Sequence, residues 1–145
     1  MGSEIHGTVD ELLARAGQRY TPVRRATVDA LTRAARPVTI VEILDGARAR
    51  LAQSSVYRTL SVLEEAGVVH RLTGPPGFAR YELAESLTEH HHHLICMSCG
   101  AVEDLPASSR LEKTVALAAA EVAAGTGFKL HGHRLDLVGL CASCD

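Results

Sequence analysis

The chain has 145 residues, of which 46% are hydrophobic and only five are aromatic. A chain of this length closes one ordinary core or two small ones, and two small cores leave each half short of buried area. Because aromatic residues are so few, the core depends on Leu, Val, Ile and Ala, which favours an α+β fold of helices on modest sheets. The first twenty residues hold five charged side chains and no long apolar run, so we expect no signal peptide, no membrane span and a cytoplasmic protein.

The net charge of −2 conceals a difference between the two halves. Residues 1–84 hold eleven arginines against nine acidic side chains, a net of +2, whereas residues 85–145 hold four basic against eight acidic side chains, a net of −4. Arginine is the cation best suited to phosphate and to guanine edges. The asymmetry is small, so it indicates nucleic acid no more strongly than it indicates solvated helix faces.

Three helix starts are visible in the first forty residues. Thr8 with Glu11 and Thr39 with Glu42 have the spacing of capping boxes. Thr21 is followed by a proline, which is favoured at the first helical position. The apolar periodicity of the third helix continues to residue 51.

The fourth predicted helix takes Ser54 or Ser55 as its N-cap and ends at Gly67, where a left-handed residue is favoured. Its buried face is Val56, Leu60 and Leu63. On its outer face, Tyr57 suits a thymine methyl or a phosphate, and Arg58 suits guanine. The alternative is a tyrosine buried against the neighbouring hairpin and an arginine in a surface ion pair.

A β-hairpin follows the fourth helix. The strand-like runs 68–72 and 78–83 are joined by a Gly-Pro-Pro-Gly turn at 74–77. Helices followed by such a hairpin form a winged helix. Near residues 84–89 the apolar periodicity lapses and the charge changes sign, so we expect a winged-helix domain at 1–84, a linker at 85–89 and a second domain at 90–145.

The second domain is predicted as a small α/β unit. Strands at 94–96 and 101–105 flank a tight turn at 97–100. Ser109 with Glu112 has the spacing of a capping box, and apolar residues recur at helical intervals behind it. A last strand is expected from 128 to 140, with Leu135 and Leu137 on one face.

The four cysteines form two Cys-x-x-Cys pairs, Cys96 with Cys99 and Cys141 with Cys144. Each pair puts two thiolates on one turn, and four thiolates surround a tetrahedral zinc at about 2.3 Å. The alternative, a redox pair beside two unrelated cysteines, lacks the βαβ setting of such motifs. The cysteines therefore predict a structural zinc that clamps the last strand of this domain to its first strand.

Six of the eight histidines fall between His90 and His133. Since a strand alternates its faces, His91 and His93 would point one way, and His90 and His92 the other. Imidazoles with carboxylates suit zinc, iron, manganese or nickel. The run thus predicts metal binding without naming the metal, whereas a solvated polar patch or a purification-tag remnant fits less well.

Several stretches together resemble the ferric uptake regulator (Fur) family of metalloregulators over nearly the whole chain. They are residues 19–24, 55–60, 66–69, 81–83 and 90–96 and the two cysteine pairs. The resemblance implies a winged helix that reads palindromic double-stranded DNA operators through residues 54–66. It also implies a homodimer formed by the C-terminal half and repression when metal is bound. We expect the DNA-binding residues to be Arg19, Ser55, Tyr57 and Arg58.

The same resemblance implies three metal sites. A structural zinc falls on the four cysteines, and a second divalent metal, Zn²⁺ or Fe²⁺, occupies a regulatory site at the hinge. The regulatory ligands are His70, Glu82, His91 and His93. A third site combines His90, His92, Glu112 and His133.

The chain departs from both main subfamily patterns. The histidine that iron-type members supply before the third helix is missing at 36–38, and the zinc-type hinge cysteine is absent near 83–84. His70 occupies the place of a zinc-type aspartate, which slightly favours zinc over iron. Asp104 stands where peroxide-sensing members carry aspartate, so an iron- or manganese-dependent peroxide sensor of the same family is the alternative.

Two functions outside gene regulation compete with this interpretation. The first is a hydrolytic zinc enzyme, because a histidine and carboxylate site with an open position could activate water, but no His-Glu-x-x-His helix or fitted nucleophile accompanies the site. A zinc-stabilised interaction module predicts one tightly held metal per chain and indifference to DNA. We therefore expect a dimeric, metal-dependent repressor of metal-homeostasis genes with no enzymatic activity.

Overall fold

The computed structural model describes residues 2–75, 77 and 79–145. The chain divides into two compact units, residues 1–89 and 90–145. The first unit holds helices and a two-stranded hairpin, and the second holds a three-stranded sheet and a long helix, which confirms the α+β class. Within the described part of the chain, no helix is both long and apolar enough to cross a membrane.

The first unit has the predicted order of helices followed by a hairpin. Its elements are α1 (Gly2–Arg15), α2 (Pro22–Ala34), α3 (Ile40–Gly46), α4 (Gln53–Glu65), β1 (Val69–Leu72) and β2 (Arg80–Leu83), with a 3-10 turn at Glu85–Leu87. Gly67, just after α4, adopts a φ of 77° and turns the chain into β1. This arrangement is a winged helix.

Local capping signals place two of the helices. The Thr21 hydroxyl accepts the Arg24 N–H at 3.4 Å at the start of α2. At α3 the Thr39 hydroxyl accepts the Glu42 N–H at 3.2 Å, and the Glu42 carboxylate accepts the Thr39 N–H at 2.8 Å. Both predicted caps are confirmed.

The start of α1 is predicted wrongly. The helix already begins at Gly2, so Thr8 lies inside it and its hydroxyl donates to the Glu4 carbonyl at 3.2 Å. Val9 and Leu13 are fully buried on the inner face of α1. The helix therefore extends over more of the chain than its local capping signal indicates, because tertiary packing holds one face along its length.

Two further helix boundaries differ from the sequence prediction. Helix α3 ends at Gly46, because Ala47 is extended, and so it does not continue to residue 51. Helix α4 begins at Gln53 with Ala52 as its N-cap, so neither Ser54 nor Ser55 provides a cap. Since alanine offers no acceptor, α4 starts without a side-chain cap.

The core of the first unit surrounds α2, which packs against α3, α4 and β2. Helix α1 is joined to this core by His6 as well as by its apolar face. The His6 Nδ1 lies 2.6 Å from the Tyr20 hydroxyl, and its Nε2 lies 2.9 Å from an Asp29 carboxylate oxygen. The buried aliphatic residues include Val28, Leu31, Ile43, Val56, Leu60 and Leu63.

Strands β1 and β2 pair antiparallel and form the wing. Val38, in the segment before α3, joins the edge of the wing through two backbone hydrogen bonds with Tyr81, of 2.9 and 2.7 Å. The predicted turn and second strand include Pro76 and Phe78, which lie outside the described residues.

The second unit contains β3 (His91–Cys96), β4 (Val102–Pro106), α5 (Ser109–Thr126) and β5 (Asp136–Gly139). The sheet order is β4-β3-β5, with β3 antiparallel to β4 and parallel to β5. Ser108 caps α5 in place of the predicted Ser109. The last strand is four residues long, so the prediction of a strand from 128 to 140 is too long.

Glu42 also connects α3 to the wing by charge. Its two carboxylate oxygens accept hydrogen bonds from Arg36 at 2.8 Å and from Arg80 at 3.4 Å. Burial raises the pKa of Glu42, but the Thr39 N–H and the Arg36 guanidinium outweigh burial and lower this pKa below its usual value of 4.5. Folding therefore favours the charged form of Glu42.

We expect Glu42→Gln to lower the free energy of unfolding near neutral pH by at most about 1 kcal/mol, because the ion pairs are partly exposed to solvent. The folded-state pKa is depressed, so this contribution is complete above the unfolded pKa and is lost as the pH falls through the folded one. Urea unfolding of the full chain at about pH 6 and below about pH 4 measures the change. If the gap between wild type and variant is the same at both pH values, the charge of Glu42 is not its source.

Candidate metal centres

The candidate metal ligands of the second unit gather around β3. This strand runs through three of the four consecutive histidines and ends at Cys96. Alternation along the strand sends His91 and His93 to one face and His92 to the other. Residues from β4, α5 and both sides of β5 approach the two faces and the end of the strand, which creates three clusters.

The four cysteines form the first cluster. Cys96 ends β3, Cys99 lies in the turn that follows, and Cys141 and Cys144 come after β5; all four sulfurs lie within 4.8 Å of one another. The Sγ atoms of Cys99 and Cys141 are 3.7 Å apart. Four sulfurs at about 2.3 Å from one tetrahedral zinc lie about 3.8 Å from each other, so this donor set fits a single zinc ion.

The protonation of the cysteines is uneven. The backbone N–H groups of Cys99 and Cys141 donate to the Cys96 sulfur at 3.5 and 3.4 Å and lower the pKa of Cys96 to about 6. The Ser98 hydroxyl lowers the pKa of Cys144, but the neighbouring thiols of Cys141 and Cys99 outweigh it and raise this pKa to about 11. Cys96 therefore loses its proton easily, whereas Cys144 holds its proton because of the neighbouring thiols. A cation bound between the sulfurs would favour deprotonation of both.

The second cluster consists of His90, His92, Glu112 and His133. The Nε2 atoms of His90 and His133 lie 3.3 Å apart, and they lie 3.3 and 3.2 Å from the same Glu112 oxygen. Ligands at about 2.0–2.1 Å from a tetrahedral metal are about 3.3 Å apart. The separations in this cluster therefore fit a metal bound by three imidazoles and one carboxylate.

Glu112 attaches α5 to the sheet in this cluster. The Nε2 of His92, whose side chain is completely buried, lies 2.6 Å from Glu112 Oε1. That hydrogen bond, followed by the charges of the surrounding imidazoles, lowers the pKa of Glu112. Glu112 is therefore a carboxylate at neutral pH, which is the form that binds a metal.

The third cluster lies on the opposite face of β3. The Nε2 atoms of His91 and His93 are each 4.0 Å from one carboxylate oxygen of Asp104 on β4. The other ring nitrogen of His93, Nδ1, lies 3.0 Å from an Asp136 oxygen on β5. A carboxylate on the second nitrogen fixes the orientation of a metal-ligating histidine, so Asp136 suits that positioning role.

The sequence analysis missed Asp136. Its contact with His93 depends on the parallel pairing of β3 with β5, in which Asp136 is the register partner of His93. The two residues are 43 positions apart, and no local motif indicates such a pairing. The one signal that the sequence carries is an acidic residue within the predicted last strand.

The remaining expected ligands lie in the first unit. His70 on β1 and Glu82 on β2 are register partners across the wing. Glu82 is buried and His70 is half-buried. The two residues therefore lie directly opposite each other on neighbouring strands of the hairpin.

The expected DNA-binding residues also belong to the first unit. Tyr57 and Arg58 are exposed on α4, whereas Ser55 is half-buried. Arg19 is exposed between α1 and α2, where its carbonyl accepts a hydrogen bond of 2.6 Å from the Arg24 guanidinium. Tyr57 is therefore exposed, and the alternative of a tyrosine buried against the hairpin is wrong.

Comparison with known proteins agrees with this architecture. The sequence profile of the Ferric uptake regulator family matches residues 15–138. The peroxide operon regulator of Bacillus subtilis (strain 168) is 34% identical over 139 residues, which cover 92% of this chain and 89% of that protein.

Two solved structures share the fold. The Helicobacter pylori ferric uptake regulator, described as having three functional metal binding sites, has a TM-score of 0.74 and 26% identity over 99% of this chain and 93% of its own. A zinc uptake regulator complexed with zinc and DNA has a TM-score of 0.59 and 25% identity over 99% of this chain and 94% of its own. The chain belongs to the ferric uptake regulator family of metal-responsive transcription regulators, which bind DNA as dimers.

Proposed function

We propose that this protein is a cytoplasmic, homodimeric repressor that binds palindromic operators of metal-homeostasis genes when a divalent metal is bound. Residues 1–84 read the DNA, residues 85–89 act as a hinge, and residues 90–145 dimerise and bind metal. The observation that carries this proposal is the arrangement of His91 and His93 on one face of β3, with Asp104 and Asp136 around them. This set begins directly after the hinge.

The four cysteines act as a structural zinc site. Zinc bound there neutralises the thiolates and joins the turn after β3 to the chain after β5. The support is the sulfur spacing together with the low pKa of Cys96. A closed four-sulfur site leaves no open position for substrate, so its role is stability.

We expect Cys141→Ser to abolish one tightly held zinc per chain and to lower the melting temperature of the second unit, because structural zinc contributes folding free energy directly. Zinc content after chelator treatment and gel filtration, followed by thermal unfolding, measures both effects. Ser143→Ala, which changes a neighbouring side chain outside the cluster, is the matched control. A Cys141→Ser protein that still holds the chelator-resistant zinc would remove the four-cysteine assignment.

The regulatory site uses His91 and His93 from the second unit and His70 and Glu82 from the first. A divalent metal bound there supplies a positive centre that ligands of both units share. His70 and Glu82 are supported by their opposed positions on the wing, and His93 by the Asp136 carboxylate that orients its ring. Ligands from both units make the hinge angle depend on metal occupancy.

Fixing the hinge fixes the distance between the two recognition helices of the dimer. Adjacent half-sites in DNA lie one helical turn apart, about 34–36 Å, so a dimer with one defined spacing binds better than one that samples many. Since the metal-bound arrangement is also the DNA-binding one, DNA and metal strengthen each other's binding reciprocally. This coupling is the proposed basis of repression.

The central test is the DNA affinity of the metal-loaded dimer, measured by fluorescence anisotropy on a palindromic operator. Chelator, zinc, iron(II), manganese or nickel is present in turn. We expect His91→Ala to weaken metal-dependent binding at least about tenfold, which corresponds to a coupling of about 1.4 kcal/mol. His131→Ala, which removes an exposed histidine outside the three clusters, should bind like wild type.

With chelator present to remove the regulatory metal, the thermal unfolding of both histidine variants should match that of wild type under the same condition. A His91→Ala protein that keeps its full metal-dependent affinity for DNA would contradict the assignment of His91 to the regulatory site. Wild-type DNA binding that is the same with every metal and with chelator would contradict the sensor mechanism as a whole. A wild-type protein that binds no operator under any metal condition would favour the interaction module.

Zinc is slightly preferred to iron as the signal, because His70 occupies the place of a zinc-type aspartate and the iron-type histidine is missing at 36–38. The second candidate is a peroxide sensor that uses iron or manganese at the same site. It is favoured by Asp104, whose oxygen lies 4.0 Å from both histidines, since carboxylate ligands suit these harder metals. In the iron(II) arm of the anisotropy experiment, loss of DNA binding after a short hydrogen peroxide pulse would identify this function.

Apolar surface on the second unit supports the dimer. No residue of α5 is buried, and β5 is an edge strand whose residues are all exposed. Leu137, Val138 and Leu140 are 47, 66 and 59% exposed. An exposed edge strand with apolar side chains is a template for pairing with another chain, and a second copy of this unit offers the same surface.

We expect Val138→Glu to shift the protein from dimer to monomer, because burial of a carboxylate in an apolar interface is costly without a partner. Sedimentation velocity over a range of concentrations measures the change. Ala14→Glu introduces the same charge on an exposed position of α1 and should leave the dimer intact. A Val138→Glu protein that sediments as wild type would place the interface elsewhere.

A further inference from the structure

The outer face of α4 continues beyond Tyr57 and Arg58, the exposed residues of this helix that are expected to touch DNA. Exposed side chains recur at positions 53, 54, 57, 58 and 61, which lie on one side of a helix, whereas Val56, Leu60 and Leu63 are buried on the other. Over residues 53–61 the exposed set is Gln53, Ser54, Tyr57, Arg58 and Ser61. All five can donate hydrogen bonds and none is acidic, so this N-terminal part of the face suits the edges of DNA bases. The exposed acidic residues of α4, Glu64 and Glu65, lie in its last turn.

Gln53 is the first residue of α4. Recognition helices in the major groove contact bases mainly through their N-terminal residues, and Gln53 lies one turn before Tyr57. The two side chains line a surface groove of about 390 Å³ with Thr39 and Val41 of the α3 region on one side and Arg71 of the wing on the other. No hydrogen bond within the described part of the chain uses the Gln53 amide, so its carboxamide is available to a ligand.

The chemistry of the groove selects one kind of base pair. A glutamine amide presents a donor beside an acceptor, and this pair matches the N6 and N7 edge of adenine. Val41 is 60% exposed and Tyr57 is 52% exposed next to Gln53, and apolar groups of this kind pack against thymine methyls. An A·T pair therefore satisfies both the amide and its apolar surroundings.

We propose that Gln53 is a specificity-determining residue that reads an adenine in each operator half-site through the major groove. This inference rests on the proposed function, because it requires the α4 face to enter DNA. Arg71 is exposed on the wing side of the same groove. Its guanidinium contacts a DNA phosphate and contributes affinity without sequence preference.

The test selects operators from a randomised half-site library with the full-length, metal-loaded dimer. Wild type should enrich adenine at one position of each half-site. Gln53→Ala should reduce the preference for adenine at that position by roughly ten- to a hundredfold and leave the other positions unchanged, whereas Gln53→Arg should move the preference to guanine. Alanine is favourable in helices, so loss of α4 does not explain the change, and a circular dichroism melt verifies this.

Arg71→Ala is the matched control. It should weaken binding to all selected sequences by the same factor and keep the adenine preference. If Gln53→Ala enriches the wild-type operator with undiminished adenine preference, the inference is overturned while the proposed function stands. If wild type enriches no sequence under any metal condition, the proposed function fails and the inference fails with it.

Discussion

The second unit lacks an apolar core of its own, and most of its features depend on this constraint. Among its described residues, Ile95 and Cys96 are the buried hydrophobic ones, and α5 buries none of its side chains. Ordering each residue costs about 1–2 kcal/mol of backbone entropy, so a segment this short needs cross-links of another kind. Ligand clusters that join β3 to β4, α5 and β5 have this effect. In the proposed function, metal binding in this unit is therefore linked to folding as well as to signalling.

The first unit shows the opposite balance. Its aliphatic core is continuous from α1 to the wing, and the hairpin is tied to the segment before α3 by the Val38 and Tyr81 backbone groups. A unit packed in this way keeps its recognition surface rigid whether or not a metal is bound. In the proposed mechanism, regulation therefore acts on the hinge and leaves the DNA-reading surface unchanged.

Features encoded by local sequence could be predicted, and features created by tertiary pairing could not. Thr21 and Thr39 cap their helices through backbone groups three residues away, and each cysteine pair lies within one turn, so the sequence contains the whole signal. The early start of α1 and the short β5 depend on packing and pairing with distant segments. Asp136 belongs to the same class, because only the parallel register with β3 brings it to His93. Two clusters, the four cysteines and the set of His90, His92, Glu112 and His133, were predictable as groups of residues that gather in the fold. The carboxylates beside His91 and His93 were only partly predictable.

The alternation of histidines along β3 also has an evolutionary consequence. Neighbouring residues serve different clusters, and a shift of one position would send every side chain of the strand to the opposite face. Substitutions can adjust the metal preference of one cluster while the other stays intact. Insertion or deletion of a single residue within 90–93 would instead exchange the ligands of both clusters at once. The length of this segment is thus constrained more strongly than the identity of any one residue in it. Homologues that differ in metal specificity should therefore differ here by substitutions and not by insertions or deletions.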